Sequence, residues 1–362
     1  TCWKPGSGRF GRGALSEMSL CVEIQKRLGN FQLDVQFEAH QEPLALLGAS
    51  GCGKSVTLRC IAGILTPDTG KIVLDGAVLY DSTAHINLPP QRRNVGYLFQ
   101  QYALFPNMTV RQNIAAAVRN RGRQAAEVTE KLRRFRLEEV ADRRPAQLSG
   151  GQQQRTALAR ILASEPGMIL LDEPFSALDG YLRQQLELEL QELLEPFQGT
   201  ILWVSHDRGE VFRNCRRVCV ISQGRSQPVQ TVEDLFLRPE TVAAAQLSGC
   251  GNFAMAVPQG DVVFLPAWNL TLRCAAPPPP GIDCVGIRAR QLHPAVSGEV
   301  NAFPCAVVRV IQDLSCTTLL LRPLDAMAEA PLLRMELDRE SGLADQRELL
   351  VSVSPEHLLL LR

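Results

Sequence analysis

The chain has 362 residues, with 38 Lys+Arg against 38 Asp+Glu, so its formal net charge is zero. Binding along a phosphate backbone leaves a basic excess, so this balance argues against a nucleic-acid partner. With 45% hydrophobic residues it is not a disordered acidic chain either, and its length suits roughly two or three domains of ~150 residues.

In chain order, TCWKPGSGRFGRGALSE (1–17) lacks both a methionine and an apolar run. It reads as a tag-like or disordered leader, with Met18 as a start. From 18 to 240 strands and helices alternate. LALLG (44–48), NVGYLF (94–99), MILLD (168–172), TILWVS (200–205) and RVCVIS (217–222) are short, continuous apolar runs. Such runs, bounded by Gly, Asp or Ser, fit a parallel sheet covered on both faces, hence an α/β fold. Between them, Ala157, Leu158, Ile161 and Leu162 fall on one helical face. Residues 241–284 read as a linker and connecting segment, because APPPPG (276–281) continues neither helix nor sheet. From 285 to 362, short apolar runs with period two predict a small antiparallel β-barrel. No run reaches the roughly 18 apolar residues of a membrane span. The 11 cysteines include no CxxC pair, and Cys215 and Cys219 have no histidine cluster beside them. They read as small buried thiols of a reducing compartment rather than as a zinc site.

Gly48-Ala49-Ser50-Gly51-Cys52-Gly53-Lys54-Ser55 fits G-x-x-x-x-G-K-[ST], between an apolar strand and a helical run opening at Val56. Glycines let backbone N–H groups turn inward on phosphate oxygens. The following helix adds roughly half a positive charge at its N-terminus. Lys54 can reach β- and γ-phosphates, and the Ser55 hydroxyl can ligate Mg²⁺.

The strand Met168–Leu171 ends in Asp172-Glu173-Pro174. A parallel strand delivers its functional groups at its carboxyl end. Neighbouring strand residues point to opposite sides, so the two carboxylates have different tasks. Asp172 is expected to hold Mg²⁺, and Glu173 to polarise the attacking water.

Leu148-Ser149-Gly150-Gly151-Gln152 precedes an amphipathic helix that Ser149 is placed to cap, which makes a second anion-facing surface. The sequence over about 20–240 closely resembles ATP-binding-cassette (ABC) transporter ATPases. The resemblance takes in, in order, the phosphate loop, Gln100 in GYLFQQ, the LSGGQ signature, Asp172-Glu173, Ser176-Ala177-Leu178-Asp179, and His206 in VSHD. It implies a P-loop NTPase ABC cassette with a helical subdomain, followed by a small all-β, OB-like barrel. It also implies a head-to-tail pair of copies sandwiching two ATP molecules. Leu148, Ser149, Gly150, Gly151, Gln152 and Asp179 of one copy would then face the nucleotide held by Lys54 of the other. Gln100 would sense Mg²⁺ and water, and His206 would contact the γ-phosphate. The family stacks adenine on an aromatic residue before the phosphate loop. Leu28 holds that place, with Phe31 three residues on, to stack or to serve the core.

QQYALFPNMTVRQNIA (100–115) resembles the segment of importer ATPases that receives a helix of the membrane permease, with Tyr102, Leu104, Phe105 and Pro106 as its lining. NLPPQRRNVGYLFQ (87–100), SGCGN (248–252), VGIRARQLHP (285–294) and SGEVNAFPCAVVRV (297–310) resemble the molybdate importer subunit and its appended oxyanion-type barrel. Ser297, Gly298 and Asn301 fall near that barrel's oxyanion turn, but Glu299 intrudes with a like charge. The tail is therefore read as a dimerising or spacing domain, with oxyanion binding as the other reading. The resemblance implies a peripheral ATPase on the cytoplasmic face of the membrane. Its partners would be a permease and, indirectly, a periplasmic or extracellular solute-binding protein. Molybdate is the expected solute. The alternatives are sulfate or another solute, or a soluble ABC ATPase not tied to transport.

Overall fold

The computed structural model describes residues 19–176, 180–339 and 346–362, with side chains left undescribed at 180–182. The expected leader and Asp179 lie outside the described residues. The chain divides into two compact units, one ending at Val229 and the other running from Gln230 to Arg362.

In the first unit the strands are β1 (Leu20–Leu28), β2 (Phe31–Ala39), β3 (Leu44–Leu47), β4 (Thr69–Leu74), β5 (Ala77–Asp81), β6 (Ile86–Asn87), β7 (Val95–Leu98), β8 (Met168–Asp172), β9 (Thr200–Ser205), β10 (Arg217–Ser222) and β11 (Arg225–Ser226). The helices are α1 (Lys54–Ala62), α2 (Val110–Ala115), α3 (Gln124–Arg134), α4 (Gly150–Ala163), α5 (Gly180–Leu194) and α6 (Arg208–Asn214). Strands β10, β3, β9, β8 and β7 lie side by side in that order, every neighbouring pair parallel. Each residue of β3, β8 and β9 is buried, as continuous apolar runs demand when both faces of a sheet are covered. Strands β6, β5, β4, β1 and β2 form an antiparallel array. Strand β2 alternates buried and exposed residues, the period-two signature of a half-covered sheet. These antiparallel strands supply Val22, Ile24, Val35 and Phe37 to the same core that receives Leu46, Leu58 and Leu170.

The parallel order makes the site. Strands β3, β7, β8 and β9 all point their carboxyl ends the same way, so the loops at 48–53, 99–101, 173–176 and 206–207 emerge at one edge.

The second unit differs from the expected linker at 241–284. That segment forms a helix, Val242–Leu247, and strands Asn252–Met255, Val257–Gln259, Val262–Leu265 and Leu270–Arg273. Its Val263, Leu265, Trp268 and Leu272 are buried in one core with Phe303, Leu319 and Met335, so it cannot be a solvated connector. The proline run fills only the turn before the strand Cys284–Ile287, and Gly281 takes a left-handed φ of 85° there. A five-stranded sheet follows, in which Leu292–Pro294, Glu348–Val353, Phe303–Gln312, Cys316–Pro323 and Leu333–Asp338 are neighbours in that order. The unit is all-β and barrel-like apart from its first two short helices.

Candidate nucleotide site

The loop from Gly48 to Gly53 is built on left-handed glycines, with φ of 78° at Gly51 and 111° at Gly53. A side chain at either would be strained. At Gly53 an added Cβ would also meet Leu33 Cδ1 at 2.5 Å and Phe31 Cζ at 3.0 Å. The loop ends where α1 begins, so the first N–H groups of α1 face the loop's hollow. Lys54 is buried, and its ammonium donates to the carbonyls of Gly48 (2.8 Å) and Ala49 (3.0 Å). Cys52 is 7% exposed, with its Sγ 3.9 Å from Lys54 Nζ. The Val56 side chain packs against the core, which leaves its backbone N–H as what it can offer a ligand.

Ser55 and Asp172 meet although 117 residues separate them: Ser55 Oγ donates to Asp172 Oδ1 at 2.8 Å. The other carboxylate oxygen accepts from Tyr97 Oη at 2.8 Å. Burial and the adjacent Asp172 anion push the Tyr97 phenol far above its ordinary value, so it stays a donor at neutral pH. A hydroxyl and a carboxylate side by side are the hard oxygen donors that Mg²⁺ prefers.

Glu173 leaves strand geometry immediately after Asp172, with φ of 49°, and its N–H donates to Val204 O at 3.0 Å. That turn separates the two carboxylates: Asp172 faces Ser55 and Tyr97, whereas Glu173 Oε1 lies 3.3 Å from His206 Nδ1. Gln100 Nε2 donates to Ser176 Oγ at 3.0 Å, which ties the loop after β7 to the loop after β8. Glu173, His206, Gln100, Ser55, Asp172 and Lys54 thus gather at one edge of the sheet.

Ser149 caps α4. Its Oγ accepts from Gln152 N at 3.3 Å, while its own N–H donates to Gln152 Oε1 at 3.0 Å. This reciprocal box leaves Gly150 and Gly151 in the first turn, with Leu148 buried beneath. Phe31 is half-buried, packs on the core beside Gly53 and lines a surface hollow with Gln32, Asp34 and Arg225.

Several organising side chains carry no motif of their own. Asn113 accepts from Phe105 N and donates to the carbonyls of Phe105, Met108 and Thr109, holding a loop on which Phe105 is 47% and Met108 37% exposed. Arg160 donates to Ala103 O (2.9 Å) and Tyr102 O (3.3 Å), and its guanidinium lies 5.1 Å from the Phe105 ring centre. Of the residues expected to line a permease socket, Phe105 and Pro106 are exposed, Leu104 is half-buried and Tyr102 is buried. Arg93, 1% exposed, donates to the Cys60 and Ile61 carbonyls at the end of α1, to Leu88 O and to Asn87 Oδ1. It therefore fixes the helix that carries Lys54. A charged side chain reaching carbonyls 32 or 33 residues away has no local sequence signal.

In the second unit, Glu299 Oε1 lies 2.7 Å from His293 Nε2, and Glu299 Oε2 accepts from Val296 N at 3.2 Å. Asn301 does not face open solvent as a ligand donor. Its amide bonds Arg273 N, Arg273 O and Val353 O. The Glu299 and Asn301 side chains are thus engaged internally, and the carboxylate of Glu299 sits among the donors an oxyanion would need.

Fold and site together define the first unit as an ABC-type P-loop NTPase cassette. Residues 31–176 match the model of the family described as ABC transporter. The chain is 43% identical over 246 residues to the spermidine/putrescine import ATP-binding protein PotA of Lawsonia intracellularis, covering 66% of this chain and 64% of that protein. It is 40% identical over 256 residues to the PotA protein of Methylococcus capsulatus (68% and 64% covered). It is 43% identical over 221 residues to the Fe(3+) ions import ATP-binding protein FbpC of Haemophilus influenzae (60% and 62% covered). The chain thus spans less than two thirds of the length of these relatives. Among solved structures it is similar to the dimeric post-hydrolysis ATP-binding cassette MJ0796 bound to ADP and Pi, at 27% identity and a TM-score of 0.49, covering 59% of this chain and 99% of that one.

Proposed function

We propose that this chain is the ATP-hydrolysing subunit of an ABC importer. The observation that carries the reading is the convergence of Lys54, the Ser55–Asp172 pair and the Glu173–His206 pair at one edge of a parallel sheet. In this reading the backbone N–H groups of 48–55 and the Lys54 ammonium bind the β- and γ-phosphates, exchanging the Gly48 and Ala49 carbonyls for phosphate oxygens. Ser55, Asp172 and Gln100 would hold Mg²⁺, which supplies charge neutralisation on the phosphates. The Glu173 carboxylate accepts a proton from the attacking water, and His206 orients that carboxylate and the γ-phosphate.

The capped, glycine-led start of α4 offers a second phosphate-facing surface, which supports closure by a second copy with Ser149, Gly150 and Gly151 acting across the interface. The exposed Phe105–Met108 loop suits a permease helix. Among the described residues no helix is long and apolar enough to cross a membrane, so membrane work would run through such a partner. The relatives found carry importer names, for spermidine/putrescine and for Fe(3+). Molybdate as the solute rests on the resemblances at 87–100, 248–252 and 285–310 alone, and the engagement of Glu299 and Asn301 lends it no support from the tail.

The test is hydrolysis by the purified chain. The parental protein should release phosphate from Mg·ATP, while Glu173→Gln should retain ATP binding, lose turnover and accumulate as a dimer. Parental turnover in Glu173→Gln would remove Glu173 from the site. Uptake by the complex with its permease, with molybdate, sulfate, spermidine and Fe³⁺ in competition, identifies the solute.

A further inference from the structure

The His206 ring is exposed and touches Glu173, yet its neighbour Ser205 is held by the buried Glu210 carboxylate and its neighbour Asp207 by the Glu210 backbone N–H. Glu210, on α6, is 2% exposed. Its Oε1 accepts from Trp203 Nε1 at 2.5 Å, and its Oε2 accepts from Ser205 Oγ at 2.8 Å and from Arg183 Nη2 at 2.9 Å. Ser205 Oγ in turn accepts from Asp207 N at 3.0 Å, and Asp207 Oδ1 accepts from Glu210 N at 2.9 Å, closing the loop that carries His206. Arg183, on α5, reaches Asp207 Oδ2 at 2.9 Å as well as Glu210. The Trp203 ring packs against Phe175, 6.1 Å between centres, and Phe175 lies two residues past Glu173. One carboxylate therefore joins β9, α5 and α6 around the turn that presents His206.

A buried carboxylate is a costly way to fill a core, since apolar side chains of similar volume would serve stability at least as well. What it supplies here is direction. Three donors from two elements, β9 and α5, meet on it, and the Ser205 hydroxyl and Arg183 extend the network to Asp207, so the backbone of the residue between Ser205 and Asp207 is held.

We propose that Glu210 is a positioning residue for His206, holding the imidazole against Glu173 through Ser205, Asp207, Arg183 and Trp203. The proposal rests on the ATP-hydrolysing reading above for its catalytic consequence, but its structural content is independent of it.

Glu210→Gln keeps the shape and removes the charge. In the variant, nucleotide affinity should stay within about twofold, while kcat falls about tenfold or more, since small misplacements of a reacting group cost that much. In the nucleotide-free protein, the His206 ring resonances, identified by their loss in His206→Ala, should shift, while those of His293 stay in place. A merely structural role would lower thermal stability and leave kcat and the His206 resonances unchanged, and that result overturns the proposal. Should Glu210→Gln fail to fold, Trp203→Phe keeps a ring against Phe175 and deletes only the indole donor. Unmoved His206 resonances there overturn the proposal equally. If the parental protein hydrolyses no ATP, the functional reading falls, and the His206 resonances still decide this one.

Discussion

Tyr97→Phe isolates one hydrogen bond at the metal-facing edge of the site. The phenol donates to Asp172 Oδ2 at 2.8 Å, and the ring packs against Phe99 with centres 4.1 Å apart. Phenylalanine keeps the ring and its packing, so no cavity opens. What is lost is one bond to a carboxylate that is itself 7% exposed. A hydrogen bond to a charged group contributes about 1.5–3 kcal/mol. For a unit of this size that corresponds to a fall in Tm of roughly 3–12 °C. The functional effect follows from geometry. Asp172 keeps its Ser55 contact on Oδ1 but loses the anchor that fixes its rotation. Removing such an outer partner typically weakens metal binding about 10–100-fold. The half-saturating Mg²⁺ concentration for ATP hydrolysis should rise accordingly, while metal-free nucleotide binding stays unchanged. Thermal melting and a Mg²⁺ titration of turnover are the assays. An unchanged Tm together with an unchanged Mg²⁺ requirement would refute the role assigned to this bond.

Three further outcomes are expected. Lys54→Ala removes the ammonium now held by the Gly48 and Ala49 carbonyls and should abolish nucleotide binding in a filter assay, with the folded state retained by circular dichroism. Cys52 lies 7% exposed inside the phosphate loop, so a bulky thiol reagent should inactivate the protein slowly, ATP should protect, and Cys52→Ser should be resistant. Equal inactivation rates with and without ATP would place the thiol away from the nucleotide. Asp81 is held well below the ordinary carboxylate range by the Thr83 hydroxyl, the Ala84 N–H and the Lys71 ammonium. Its folded value is depressed, so its stabilisation is complete above the unfolded value of about 3.9 and is lost as pH falls below it. Denaturant titrations should therefore show an acid limb that Asp81→Asn flattens.

Where chemistry is tied to short, contiguous spacing, the residues announce it. The glycine and lysine positions of 48–55 follow from local backbone needs, and the apolar runs of β3, β8, β9 and β10 are legible because a strand buried on both faces tolerates no polar interruption. The Ser149 capping box is likewise local, three residues from cap to partner. Where a side chain earns its place from distant partners, sequence is silent. Tyr97 reads as one aromatic in a buried strand, and only the parallel pairing of β7 with β8 brings its hydroxyl to Asp172. Arg93 reads as one of two adjacent arginines, and only the packing of its loop against α1 buries it among the carbonyls of Cys60 and Ile61. The core role of the 241–284 segment escapes the sequence for the same reason. Prolines are visible locally, whereas Trp268 and Leu272 reveal themselves as core only once strands from 303–351 close over them. The sequence by itself determined which groups are available for phosphate chemistry. The tertiary structure decided which carboxylate meets the Ser55 hydroxyl and which meets His206, because the turn at Glu173, with its φ of 49°, sends two adjacent side chains to different partners.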